Sequence, residues 1–381
     1  MNDTFTLKSK IYAGKQSIQL LKTISGAAAC IITDGIMAEL GYLGKAIDLL
    51  REAGMEAYVF QDVRPDPDME VVTAGLEVFL ASGADVLVAL GGGSVIDTAK
   101  AILYAAWKMD ERSFRRPRFI AIPSTSGTGS EVTDFSVITV DGNKVVIVDE
   151  RIAPDIAILD SVCLQHVPQK VVADTGIDVL VHAMEAYVSM NATDFTDALA
   201  EKAVQLVFEH LETLYHDPAD VYARDRIQNA SCMAGMAFTN SNLGLNHSLA
   251  HALGGRFHIS HGRANAMLLL PVMKFNACLC GGSGERERIR YAHLATLLHL
   301  PARTAREGTA SLIEAARSLM RRLDIPPSIR VLGIERGAFT EALGHMADAA
   351  LRDRCTPSAP RQATKEELIA LYEKAYHTSS S

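Results

Sequence analysis

Five short apolar, β-branched runs punctuate the first part of the chain: Ala28–Thr33, Ala57–Phe60, Asp85–Leu90, Phe119–Ile122 and Ile156–Leu159. Between them apolar residues recur at helical spacing, over Met37–Ala53, Met69–Ser82 and Val95–Trp107. Strands without polar alternation are buried on both faces, so strand–helix alternation of this kind predicts a covered parallel sheet. The stretch VTDFSVITVDGNKVVIVDE breaks the rhythm: two alternating runs flank Asp141-Gly142, which predicts a hairpin. Further on only helical periodicity remains, over Asp178–Ser189, Asp197–Leu214, Ala223–Phe238, Leu249–Gly254, Arg286–Leu298, Thr309–Leu323, Ala338–Ala350 and Lys365–Tyr376. The expected architecture is an α/β parallel-sheet domain over 1–168 and an all-α domain over 169–381. The polar end, HTSSS, is expected to fray.

Composition narrows the function classes. The chain has 381 residues, 48% hydrophobic and 22% charged, with a net charge of −8. That balance suits a soluble two-domain protein and argues against a nucleic-acid surface, which needs clustered cations. Arg112, Arg115, Arg116 and Arg118 are locally basic, but Asp110 and Glu111 precede them, as on a solvated loop. The cysteines Cys30, Cys163, Cys232, Cys278, Cys280 and Cys355 form no CxxC pair, so reduced thiols in a cytoplasmic protein are expected. The opening MNDTFTLKSKIYAGKQ lacks the apolar region of a secretory signal, and no run is long enough to span a membrane.

Two kinds of candidate chemistry stand out. DVLVALGGGSVIDTAK reads as a buried strand, three glycines and a helix. A helix N-terminus approached through glycines suits a pyrophosphate, although the order is not GxGxxG, and a ligand-free tight turn is the plain alternative. A second strand end carries IPSTSGTGSEVT, rich in hydroxyls from Ser124, Thr125, Ser126, Thr128 and Ser130. Strand carboxyl ends face the ligand crevice in such sheets. Asp34 closes the first strand, where a carboxylate suits ribose hydroxyls and repels a 2′-phosphate; the alternative is a simple turn aspartate.

The second kind is a metal set. Asp178 and His182 stand one helical turn apart in an otherwise apolar segment. GLNHSLAHALGGRFHISHG then places His247, His251, His258 and His261 within nineteen residues of a chain with twelve histidines. One carboxylate and several imidazoles suit Fe(II) or Zn(II). His258 reads better as an ordinary core or solvent histidine than as a ligand.

GGGSxxDxAK, PSTSGTGSEVT, TGxDxLxHAxE and NHxxAHxLGGxFHxxHGxANA together resemble the iron-dependent (group III) alcohol dehydrogenases over nearly the whole length. Within that family, ATDFTDALAEKA and the histidine-rich stretch are most similar to the 1-propanol dehydrogenases of propanediol-utilisation microcompartments. The resemblance implies a Rossmann-like first domain and a metal held by Asp178, His182, His247 and His261, Fe2+ or alternatively Zn2+. It implies that His251 relays protons without ligating. It places Gly92, Gly93, Ser94 and Asp97 at the pyrophosphate of NAD(H), Ser124, Thr125 and Thr128 at the second cofactor loop, and Asp34 against NADP. Phe135, Phe238 and Cys355 correspond to substrate-pocket positions. The implied reaction is hydride transfer between NAD(H) and short aldehydes or primary alcohols such as propanal and acetaldehyde, in a cleft between the domains. Homodimers or larger homo-oligomers, and microcompartment shell proteins, are the implied partners. Three alternatives stay open: dehydroquinate-synthase-like chemistry, reduction of an anionic short aldehyde such as sulfoacetaldehyde using Arg256 and Arg263, and non-catalytic microcompartment cargo.

Overall fold

The computed structural model describes residues 4–140, 143–278 and 284–377. Asp141-Gly142, Cys280 and the last four residues of the polar end therefore lie outside the described residues. The chain divides into two units, one spanning Thr6–Val167 and the other built on the residues from Pro168 onward together with the first few residues.

The first unit carries β1 (Lys10–Ala13), β2 (Ala28–Thr33), β3 (Glu56–Phe60), β4 (Val86–Gly91), β5 (Arg118–Pro123), β6 (Phe135–Val140), β7 (Asn143–Val148) and β8 (Ile156–Leu159). Six strands form one sheet in the order β1-β8-β5-β4-β2-β3, and every pairing in it is parallel. β6 and β7 pair antiparallel, as the alternation around Asp141-Gly142 predicts. β1 is the strand the sequence pattern does not announce. It is a four-residue edge strand with mostly exposed side chains, so it needs no apolar run.

The expected helices appear as α1 (Gly35–Glu39), α2 (Tyr42–Glu52), α3 (Met69–Ser82) and α4 (Gly93–Met109). The periodic stretch Met37–Ala53 is two helices rather than one, because Gly41 turns left-handed at φ 78°. Neighbouring strand residues point to opposite faces. Ile31, Val88 and Ile120 enter one core with α2, while Cys30, Leu87 and Phe119 enter the other with α3 and α4. Each fully buried aliphatic side chain contributes about 1.5–3 kcal/mol. Two-sided burial thus explains why these strands lack polar residues.

Among the described residues the second unit has no strand. It comprises α5 (Gln169–Val188), α6 (Asp194–His216), α7 (Val221–Ser241), α8 (Leu245–Phe257), α9 (His261–Asn276), α10 (Glu285–Leu297), α11 (Ala305–Arg322), α12 (Arg336–Arg352) and α13 (Lys365–Tyr376). α5 is sheathed by α6, α7 and α9 and is buried almost throughout. α9 lies outside the helices the periodicity predicts, since Pro271 interrupts its pattern. No described helix is long and apolar enough to cross a membrane.

Candidate active site

Helix α5 presents Asp174, Asp178, His182 and Glu185 at spacings of four, four and three, which sets them along one face. α8 supplies His247 and His251 one turn apart, and α9 begins at His261. Candidate ligand atoms of Asp178, His182, His247 and His261 all lie within 4.8 Å of one another. Asp178 Oδ1 stands 3.7 Å from His261 Nε2 and 4.0 Å from His247 Nε2. The four residues singled out in the sequence are brought together.

A glycine makes that convergence possible. A Cβ at Gly262 would stand 2.3 Å from the backbone oxygen of Asp174. Only glycine lets the first turn of α9 rest on α5, and that close approach seats His261 beside Asp178. One turn later, Asn265 donates its amide to Asp178 Oδ1 at 2.7 Å. Asn246 donates in turn to Asn265 Oδ1 at 2.8 Å, which orients that amide.

Glu185 sits under the N-terminus of α8. Its carboxylate accepts the backbone N–H groups of Gly244 at 3.0 Å, Asn246 at 2.6 Å and His247 at 3.3 Å. Its Oε2 lies 2.7 Å from His247 Nδ1. The Nδ1–H therefore donates to Glu185, and the lone pair of Nε2 is left facing the cluster. That Nε2 is buried with no hydrogen-bond partner. Burial pushes the Asp178 carboxyl above its ordinary range and the Glu185 carboxyl up to about 7, and it holds His247 well below the usual imidazole value. Neutral imidazoles and a desolvated carboxylate form the set that a divalent cation stabilises. The residues present fit such an ion.

His251 belongs to a neighbouring arrangement. Its ring stacks on His261 at 5.4 Å, and its Nδ1 lies 2.8 Å from Asp353 Oδ2. Asp353 Oδ1 accepts the Cys355 N–H at 2.8 Å and the Ser248 hydroxyl at 3.3 Å. Burial opposes the Asp353 charge, but the hydrogen bonds from His251 and Cys355 prevail and hold the carboxyl well below its usual range. Phe238 stacks on His182 at 4.6 Å, and Cys355 is buried close to Asp353. Phe135 lies in β6 of the other unit, with the Lys100 ammonium 5.7 Å from its ring centre. His258 is the exposed, left-handed cap of α8.

Sequence reasoning missed Glu185, Asn265 and Asp353. Glu185 had a signal: it lies three residues beyond His182 on the same buried face. Asp353 had none, because it meets His251 only through tertiary packing.

In the α/β unit, Asp34, the 91–94 turn and the 124–130 loop follow β2, β4 and β5, three neighbouring strands that end on one edge of the sheet. α4 starts at Gly93 with no side-chain cap on its first amides. A Cβ at Gly93 would meet Thr128 Cγ2 at 2.7 Å, so the glycine lets the two loops close on each other. The Ser126 hydroxyl is buried without a hydrogen-bond partner. Uncapped amides, a clear approach and a spare hydroxyl fit a phosphate-bearing ligand. Two of the residues expected there also serve the fold. Asp97 accepts the Ser130 hydroxyl at 2.8 Å and the Val137 N–H at 3.2 Å, while Asp34 accepts the Met37 N–H at 2.9 Å and caps α1.

The iron-containing alcohol dehydrogenase family model matches residues 8–161, and its C-terminal counterpart matches 172–376. The chain belongs to the iron-containing alcohol dehydrogenase family. It is an oxidoreductase of the kind that uses Fe2+ and NAD(H). It is 38% identical to the NADPH-dependent butanol dehydrogenase of Clostridium saccharobutylicum, covering 98% of both chains. It is 38% identical to the 1-propanol dehydrogenase PduQ of Citrobacter freundii, over 97% of this chain and 99% of that one. The solved iron-containing alcohol dehydrogenase of Thermococcus thioreducens matches with a TM-score of 0.89 at 35% identity, over 98% of this chain and 99% of that one.

Proposed function

We propose that Asp178, His182, His247 and His261 hold one Fe2+ ion, and that the protein interconverts short aldehydes and primary alcohols, propanal above all, with NADH as hydride donor. The observation that carries this reading is the buried, partnerless His247 Nε2 beside the Asp178 carboxylate, with Glu185 fixing the tautomer. A divalent ion there supplies Lewis-acid stabilisation of negative charge on the substrate oxygen. The dinucleotide brings the hydride. This chain supplies position and protons. The 91–94 and 124–130 loops hold phosphate through backbone amides and hydroxyls, and the Asp34 carboxylate disfavours a 2′-phosphate.

His251 is the proton relay in this proposal. Asp353 accepts a hydrogen bond from the His251 Nδ1–H, so Nε2 is the atom that accepts and returns protons. The imidazole is about one-third exposed, which gives it contact with water. Phe238 and Cys355 then line an apolar substrate end. The neighbourhood does not favour an anionic aldehyde. Arg263 is buried and paired with Asp174 at 2.6 Å, and Arg256 is exposed to solvent. Association with a homo-oligomer and with microcompartment shell proteins belongs to the same proposal.

Anaerobic purification with elemental analysis, followed by NADH oxidation with a panel of aldehydes, tests it. One iron per chain and turnover with propanal are expected, with activity lost on chelation and restored by Fe2+. Turnover that survives complete metal removal overturns the assignment.

A further inference from the structure

The groups around His251 form a second ligand set beside the first. Candidate ligand atoms of His251, Asp353 and Cys355 lie within 4.8 Å of one another. Asp353 and Cys355 are two residues apart on the turn that leaves α12, and the Cys355 N–H bonds back to Asp353 Oδ1. That carboxylate is braced further by Ser248, whose own hydroxyl accepts from Thr356 at 2.8 Å. His251 arrives from α8 with Nδ1 already against Asp353 Oδ2. The chelate is pre-positioned from two directions.

We propose that these three side chains form a second, inhibitory site for Zn2+. Imidazole nitrogen, carboxylate oxygen and thiolate sulfur are a donor set that suits zinc. Zinc bonds of about 2.0–2.3 Å place ligand atoms roughly 3–4 Å apart, so modest side-chain movement closes the site. On binding, the cation takes the Nδ1 lone pair of neutral His251, whose single proton moves to Nε2 by exchange with solvent, while the thiol proton of Cys355 leaves to solvent. One carboxylate and one thiolate then cancel the two positive charges, so the site adds no net charge beside the first ion. Metal on Nδ1 leaves the proton of the neutral imidazole on Nε2, where it can no longer accept one. The inhibitory part rests on the relay proposed for His251; the binding part does not.

Cobalt separates the two sites, because only the second contains sulfur. Anaerobic titration of metal-free protein with Co2+, followed in the near-ultraviolet, reads thiolate-to-cobalt charge transfer directly. The expected result is no such band with the first equivalent and its appearance with the second. Cys355→Ser should lose the band while keeping one cobalt per chain. In His261→Ala the band should appear with the first equivalent, so failure of the iron assignment and failure of this site give different records. With each protein's activity expressed relative to its own zinc-free rate, whatever that rate is, added Zn2+ should inhibit the iron-loaded wild type at lower concentrations than it inhibits iron-loaded Cys355→Ser. A second equivalent without a thiolate band, or a band unchanged in Cys355→Ser, overturns the proposal.

Discussion

Each unit buries a cluster of charge, and the two clusters are built to opposite ends. In the α/β unit the Lys100 ammonium is fully buried, yet it donates to Ser130 O at 2.7 Å, Ser130 Oγ at 2.9 Å, Thr133 Oγ1 at 2.7 Å and Phe135 O at 2.8 Å. Asp97, one turn before it, accepts from Ser130 and Val137. That cluster is complete in itself, and it ties α4 to the 130–137 segment at the end of the 124–130 loop. In the helical unit, Asp178, His182, His247 and His261 have their orienting neighbours but no buried lysine or arginine among them. The nearby guanidinium, Arg263, is taken by Asp174. A complete cluster is a staple, whereas one that lacks a cation is a site.

Breaking the incomplete cluster should have the largest effect. His261→Ala is expected to lose bound iron and activity together while the far-ultraviolet circular dichroism stays that of the wild type. Elemental analysis checks it, and full activity without iron contradicts it. Lys100→Met tests the other side of the comparison. Removing one partner of a buried charged network costs about 3–5 kcal/mol. Denaturant unfolding should therefore show a large loss of stability, while metal content per folded chain is unchanged.

Glu185→Gln sharpens the claim that tautomer control matters. It keeps the shape but removes the charge that holds the His247 proton, and iron affinity should fall roughly 10–100-fold by competition against a chelator. Unaltered affinity would make Glu185 only a cap for α8. Gly262→Ala should destabilise by about 1–3 kcal/mol, as overpacking does, because its Cβ meets the Asp174 carbonyl. The smallest effect is expected from Asp34→Gly, which should improve the use of NADPH relative to NADH. An unmoved preference, measured as the ratio of kcat/KM values, removes Asp34 from cofactor selection.

The sequence determined the elements and most of the candidate cluster. Buried parallel strands had to be apolar runs, and α3, β8 and α13 matched the periodicity end to end. Two side chains one turn apart on a helix are visible in any helical sequence, so the Asp178–His182 and His247–His251 pairs could be read directly. Tertiary structure decided what sequence spacing does not encode. It brought β1 to the edge of the sheet, split Met37–Ala53 at Gly41, and began α9 exactly where Gly262 can touch α5. It set Asp353 against His251 across 102 residues and turned Asp97 toward Ser130 rather than outward. The physical reason is that helix and strand periods act over a few residues. Which carboxylate meets which imidazole is fixed only when separate helices pack, and there the close approach of two backbones decides the partner.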